Sequence, residues 1–76
     1  MSSDPASRLG ERTYRVYYEL ISFVEVNGFV PSYAELGERV GCAPSTIMRH
    51  LQKLERADLV ERRRGRTRSI VIKVAS

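Results

Sequence analysis

Arg62, Arg63, Arg64, Arg66 and Arg68 crowd five guanidinium groups into seven residues around one glycine, Gly65. Like charges this close repel one another, so the cluster is unfavourable without a counter-charge nearby. Phosphates along a nucleic-acid groove supply one, and arginine also enters a narrow minor groove. The bland alternative is a charged hairpin that protects a sheet edge and aids solubility. A second set lies just upstream. Ser45, Thr46, Arg49, Gln52, Lys53 and Arg56 can all hydrogen-bond, and none is acidic. Arg49 has the reach for a bidentate pair with guanine. Gln52 suits adenine or the backbone, and Ser45 and Thr46 suit phosphate or a thymine edge. Here the bland alternative is an ordinary solvated helix face.

Charge is distributed as these two sets require. The net charge is +4. Residues 1–41 hold four arginines against six acids, whereas residues 42–76 hold nine Lys or Arg against three acids. The positive field is concentrated in the second half, as on a surface facing a polyanion. The aromatics Tyr14, Tyr17, Tyr18, Phe23, Phe29 and Tyr33 fall in the acidic-leaning half, and their spacing makes them mostly core or core-edge. A base-stacking platform needs them exposed beside the arginines, which argues against single-stranded nucleic acid.

Other function classes find little footing. The chain has one histidine and one cysteine and no Gly-rich phosphate loop. Glu35 and Glu38 have ordinary cap or surface roles, so no catalysis is expected. Cys42 excludes an intramolecular disulfide and a multi-cysteine metal site. It reads as a half-buried small residue in a turn, in a reducing cytoplasm. No metal or other cofactor is expected. No apolar run reaches the roughly 20 residues of a membrane span. Residues 1–7 have no apolar core of the kind a signal peptide carries.

The elements that position these residues follow from periodicity. Residues 1–10 read as a flexible lead, and 11–76 as one domain. Tyr17, Leu20, Ile21 and Val24 form an apolar stripe widened by Val16 and Phe23, giving a helix over about 11–26 that Asn27-Gly28 ends. Ser32 and Glu35 read as a capping box for a second helix over about 33–40, which Gly41 stops. Cys42-Ala43 is the turn. Pro44 opens a third helix over about 44–57, with Ile47, Leu51 and Leu54 inward. His50 lies near that buried edge and reads as a packing residue, with contact to a phosphate as the alternative. Leu59–Arg63 and Ser69–Val74 alternate as strands around an Arg64–Thr67 turn.

Two short helices joined by a tight turn, then a basic hairpin, make a winged helix-turn-helix of α+β class, a three-helix bundle with a C-terminal β-hairpin wing. The third helix would enter a major groove of double-stranded DNA and the wing would lie on the backbone or minor groove. Strand alternation sends Arg62 and Arg64 to one face and Arg63 to the other. Two further readings stand beside this one. The arginines could meet an acidic protein partner, or the domain could bind DNA architecturally, as a phage excision or replication accessory protein does.

The run Gly28-Phe29-Val30-Pro31-Ser32-Tyr33-Ala34-Glu35-Leu36, followed by Val40-Gly41, resembles the start of the helix-turn-helix in the N-terminal DNA-binding domain of LexA repressors. Ser45–Leu51, Leu54-Glu55 and Asp58–Arg62 resemble the recognition helix and first wing strand of many bacterial winged-helix regulators. The resemblance covers about residues 12–74. It implies a repressor-like regulator, with Ser45, Thr46, Arg49 and Lys53 facing DNA. The turn into the third helix is shorter here. The self-cleaving half of LexA, which also dimerises it, has no counterpart in these residues. The expectation is therefore no autoproteolysis and a mainly monomeric chain, with two copies meeting weakly on DNA at half-sites about one or two turns apart.

Overall fold

The computed structural model describes residues 10–63 and 70–73. The elements run α1 (Glu11–Asn27), α2 (Tyr33–Val40), α3 (Pro44–Arg56), β1 (Val60–Arg62) and β2 (Ile70–Ile72). The strands pair antiparallel, with Val60 opposite Ile72, Glu61 opposite Val71 and Arg62 opposite Ile70. A further bond from the Lys73 amide to the Leu59 carbonyl extends the pairing by one rung. This is the α+β winged-helix arrangement. Residues 1–9 of the 1–10 lead and the Arg64–Thr67 turn lie outside the described residues.

Local chemistry sets the helix ends. At α2 the Ser32 amide donates to Glu35 Oε1 at 2.8 Å, and the Glu35 amide donates to Ser32 Oγ at 3.1 Å. The capping box therefore forms as read. Gly41 closes α2 at φ 88°, its amide donating to the Gly37 carbonyl. At the far end of α3, Asp58 takes the left-handed conformation at φ 63°. The Leu59 amide reaches the Leu54 carbonyl and the Asp58 amide reaches that of Glu55, which is a Schellman turn with aspartate where glycine is usual. The Asp58 carboxylate accepts from Lys73 Nζ at 2.6 Å, joining this exit to the end of β2.

Every element contributes to one core. Val16 and Leu20 of α1, Leu36 of α2, Ile47, Leu51 and Leu54 of α3, Val60 of β1 and Ile70 of β2 are buried together. The buried line of α1 is Thr13, Val16, Leu20 and Phe23. This corrects the expected stripe, because Tyr17, Ile21 and Val24 are only half-buried. Two contacts account for the rotation. Phe29 packs edge-on against Phe23, with ring centroids 5.6 Å apart, and the Arg39 guanidinium sits 4.9 Å above the Phe23 ring. Thr13 is drawn inward at the other end by a side chain of α3. The aromatics also depart from expectation. Tyr14, Tyr18 and Phe29 are exposed.

Candidate nucleic-acid interface

Helix α3 is seated from three sides. Ile47, Leu51 and Leu54 are fully buried. At its start, the carbonyl of Gly37 accepts from both the Gly41 and Cys42 amides, at 2.7 and 2.9 Å. This pair of bonds fixes the turn against α2. Cys42 is a free, half-buried thiol packed on the core, as its place in the turn suggested. Halfway along α3, His50 Nδ1 lies 2.8 Å from the Thr13 hydroxyl of α1. Thr13 is buried, so His50 both satisfies a buried polar group and ties α3 to α1.

The opposite side of α3 is open. Ser45, Thr46, Arg49, Gln52, Lys53 and Arg56 are all exposed. The helix brings these six onto one outward surface. Met48, which composition alone did not single out, is exposed among them. Its signal was available in the spacing, three residues after Ser45 and four before Gln52. The first turn of α3 has no side-chain cap and no acid. The first turn of α3 therefore brings no negative charge of its own to the positive end of the helix dipole.

The wing arginines divide. Arg62 turns back toward the body, where its Nε and Nη2 donate to Glu55 Oε1 at 3.2 and 3.1 Å. Burial works against its charge, but hydrogen bonds to Tyr33 and Glu55 outweigh this and hold the guanidinium above the ordinary arginine range. Arg62 thus joins β1 to the last turn of α3 and the first of α2. Arg63 is exposed. Arg64, Arg66 and Arg68 lie outside the described residues.

Burial, then Lys53, then Arg12 hold His50 below the usual imidazole range. Only a neutral ring can accept from the Thr13 hydroxyl at Nδ1. Because the folded value lies below the unfolded value of 6.5, the unfolded chain binds the proton first as pH falls. Stability should therefore drop as pH is lowered from 6.5 through the folded value, and level off below it. Thermal melts between about pH 7.5 and pH 5 should show this slope in the wild type and a flatter one in His50→Gln. Equal slopes would remove His50 as the cause.

Among the described residues no group of three or more His, Cys, Asp or Glu could hold a metal ion. No helix among them is long and apolar enough to cross a membrane.

A buried triad, a clamped turn and an open basic face together make a helix presented for reading, with a wing beside it. The family model described as the LexA DNA binding domain matches residues 6–69. The chain belongs to the LexA DNA-binding domain family. Among proteins similar to this LexA-type domain is the LexA repressor of Thermotoga maritima, 34% identical over 64 residues, which are 84% of this chain and 32% of the relative. The LexA repressor of Thermotoga petrophila is 34% identical over 62 residues, 82% of this chain and 32% of the relative. That of Exiguobacterium sibiricum is 33% identical over 66 residues, 86% and 32% respectively. The LexA-type domain therefore spans about a third of the length of the curated relatives it matches.

Proposed function

We propose that this chain binds double-stranded DNA sequence-specifically and serves as a repressor-type transcription regulator in the bacterial cytoplasm. α3 enters the major groove, and the wing lies on the backbone or minor groove. The observation that carries this reading is the division of α3, with Ile47, Leu51 and Leu54 buried and Ser45, Thr46, Arg49, Gln52, Lys53 and Arg56 exposed. Membership of the LexA DNA-binding domain family supports it. Base-edge recognition belongs to Arg49 and the first turns of α3. Lys53 and Arg56, further along, serve phosphate. Arg62 positions the wing through Glu55, leaving Arg63, Arg64, Arg66 and Arg68 for DNA. Two copies meet on DNA at neighbouring half-sites and associate only weakly in free solution.

Selection of bound sequences from a random duplex pool tests the reading directly. Arg49→Ala should relax the preference at one base pair and weaken binding to the preferred site by about 1–3 kcal/mol. Its melting midpoint should not move, because the side chain is exposed. Unchanged preference would mean that α3 is not the reading helix.

The wing has a separate signature. Each phosphate contact on duplex DNA steepens the fall of log affinity with log salt by about 0.9. Replacing Arg64 and Arg66 together with alanine should flatten that slope by roughly 1–2 and weaken binding to selected and scrambled duplexes alike. An unchanged slope would assign the arginines to a solvated hairpin or an acidic protein partner.

A further inference from the structure

Among the described residues Met48 is the only large apolar side chain that α3 exposes. The others that are open to solvent, Tyr14, Tyr18, Val26 and Phe29, lie on α1 or in the segment after it. Met48 is 40% exposed, while Ile47 beside it is completely buried. Ser45, Met48, Arg49 and Gln52 follow one another at spacings of three, one and three, so they share one strip of helix surface. Met48 forms one flank of that strip, with Ser45 and Gln52 on its outward side and the buried Leu51 on its inward side.

In the major groove nearly everything such a strip meets is a donor or acceptor. Guanine offers N7 and O6, adenine N7 and N6, and cytosine N4. The exception is the C5-methyl group of thymine. A thioether placed among the reading groups has that one natural apolar partner. Pressed against any other base edge, it would strip water from a polar atom and return no hydrogen bond. Methionine is also long and unbranched, so it can follow a methyl group without a strict rotamer.

We propose that Met48 is a specificity-determining residue that reads thymine by covering its C5-methyl group, once in each half-site. The inference rests on the reading that α3 lies in the major groove, and deepens it by naming a base. It also orders the contacts along the groove. The thymine falls close to the base pair addressed by Arg49, since both side chains belong to the same turn of α3.

Uracil provides the test, because it pairs with adenine as thymine does and lacks the methyl group. Sites are first selected from a random duplex pool with the full chain. In the preferred duplex each thymine is then replaced in turn by uracil, and affinity is measured for the wild type, Met48→Ala and Met48→Gln. Burying one methyl group is worth about fourfold in affinity. One thymine per half-site should show a loss of about that size for the wild type, and that uracil should make no difference to either variant. Thermal melts of the variants should match the wild type, since the side chain is exposed. If the chain prefers its selected sites over random duplex but no uracil weakens it, the proposal fails and the DNA-reading assignment stands. The proposal also fails if both variants lose as much as the wild type, because another residue then covers the methyl. A chain with no preference among duplexes would overturn the sequence-specific reading and this proposal together.

Discussion

Leu51→Ala is expected to destabilise the domain by about 2–5 kcal/mol, enough to leave much of the protein unfolded at moderate temperature. Leu51 is completely buried and belongs to the single core in which all five elements meet. Truncation removes apolar burial and leaves a cavity that three short helices cannot fully close around. A small domain has little reserve, since total stabilities of roughly 5–15 kcal/mol are typical and short chains sit near the low end. Urea or thermal denaturation measures the loss. A midpoint shift below about 4 °C, which is less than 1 kcal/mol would produce, would show that the core is not joined at Leu51. Arg49→Ala, two positions earlier on the same helix, should do the reverse, leaving the midpoint in place and changing the base preference.

Gly37→Ala should lower stability by about 1–3 kcal/mol, although an alanine inside a helix normally raises it by about 1. The sign is decided by space. A Cβ on Gly37 would lie 2.5 Å from the Cys42 carbonyl oxygen, which is backbone and cannot swing aside. Moving that carbonyl disturbs the turn held by the two bonds to the Gly37 carbonyl, and with it the entry of α3. The melting midpoint should fall by about 4–8 °C per kcal/mol. DNA affinity should fall too, even at temperatures where the variant is folded. Glu38→Ala, on the exposed side of the same helix, is the control and should be close to neutral. A Gly37→Ala midpoint at or above the wild type would mean that α2 and the turn separate without cost.

Where the sequence foretold structure, the signals were local. Both ends of α2 fall where Ser32, Glu35 and Gly41 place them, because caps act within three or four residues. Helix α3 begins at Pro44 and buries Ile47, Leu51 and Leu54, as the spacing indicated. The family resemblance, traced over about residues 12–74, agrees in kind with the matched span of 6–69. What was not legible depends on distant partners. The rotation of α1 comes from Phe29 and Arg39 closing over Phe23, and from His50 meeting Thr13 across 37 positions of sequence. Periodicity gives a helix a buried side but does not choose between two sides of similar hydrophobicity. Arg62 looked like its neighbours, and only the fold shows Glu55, in the last turn of α3, holding it.

The two sides of α3 have a consequence for descent. Ile47, Leu51, Leu54 and the tethering His50 hold the helix in place, and none of them belongs to the outward strip. Ser45, Thr46, Arg49, Gln52, Lys53 and Arg56 are exposed on the other side, with the partly covered Met48 at its margin. Mutations that rewrite which operators are bound and mutations that threaten folding therefore fall on different codons of one short stretch. Under the proposed function, a duplicated copy of this gene could drift to new target sites one outward residue at a time. Each intermediate would remain a folded protein on which selection could act.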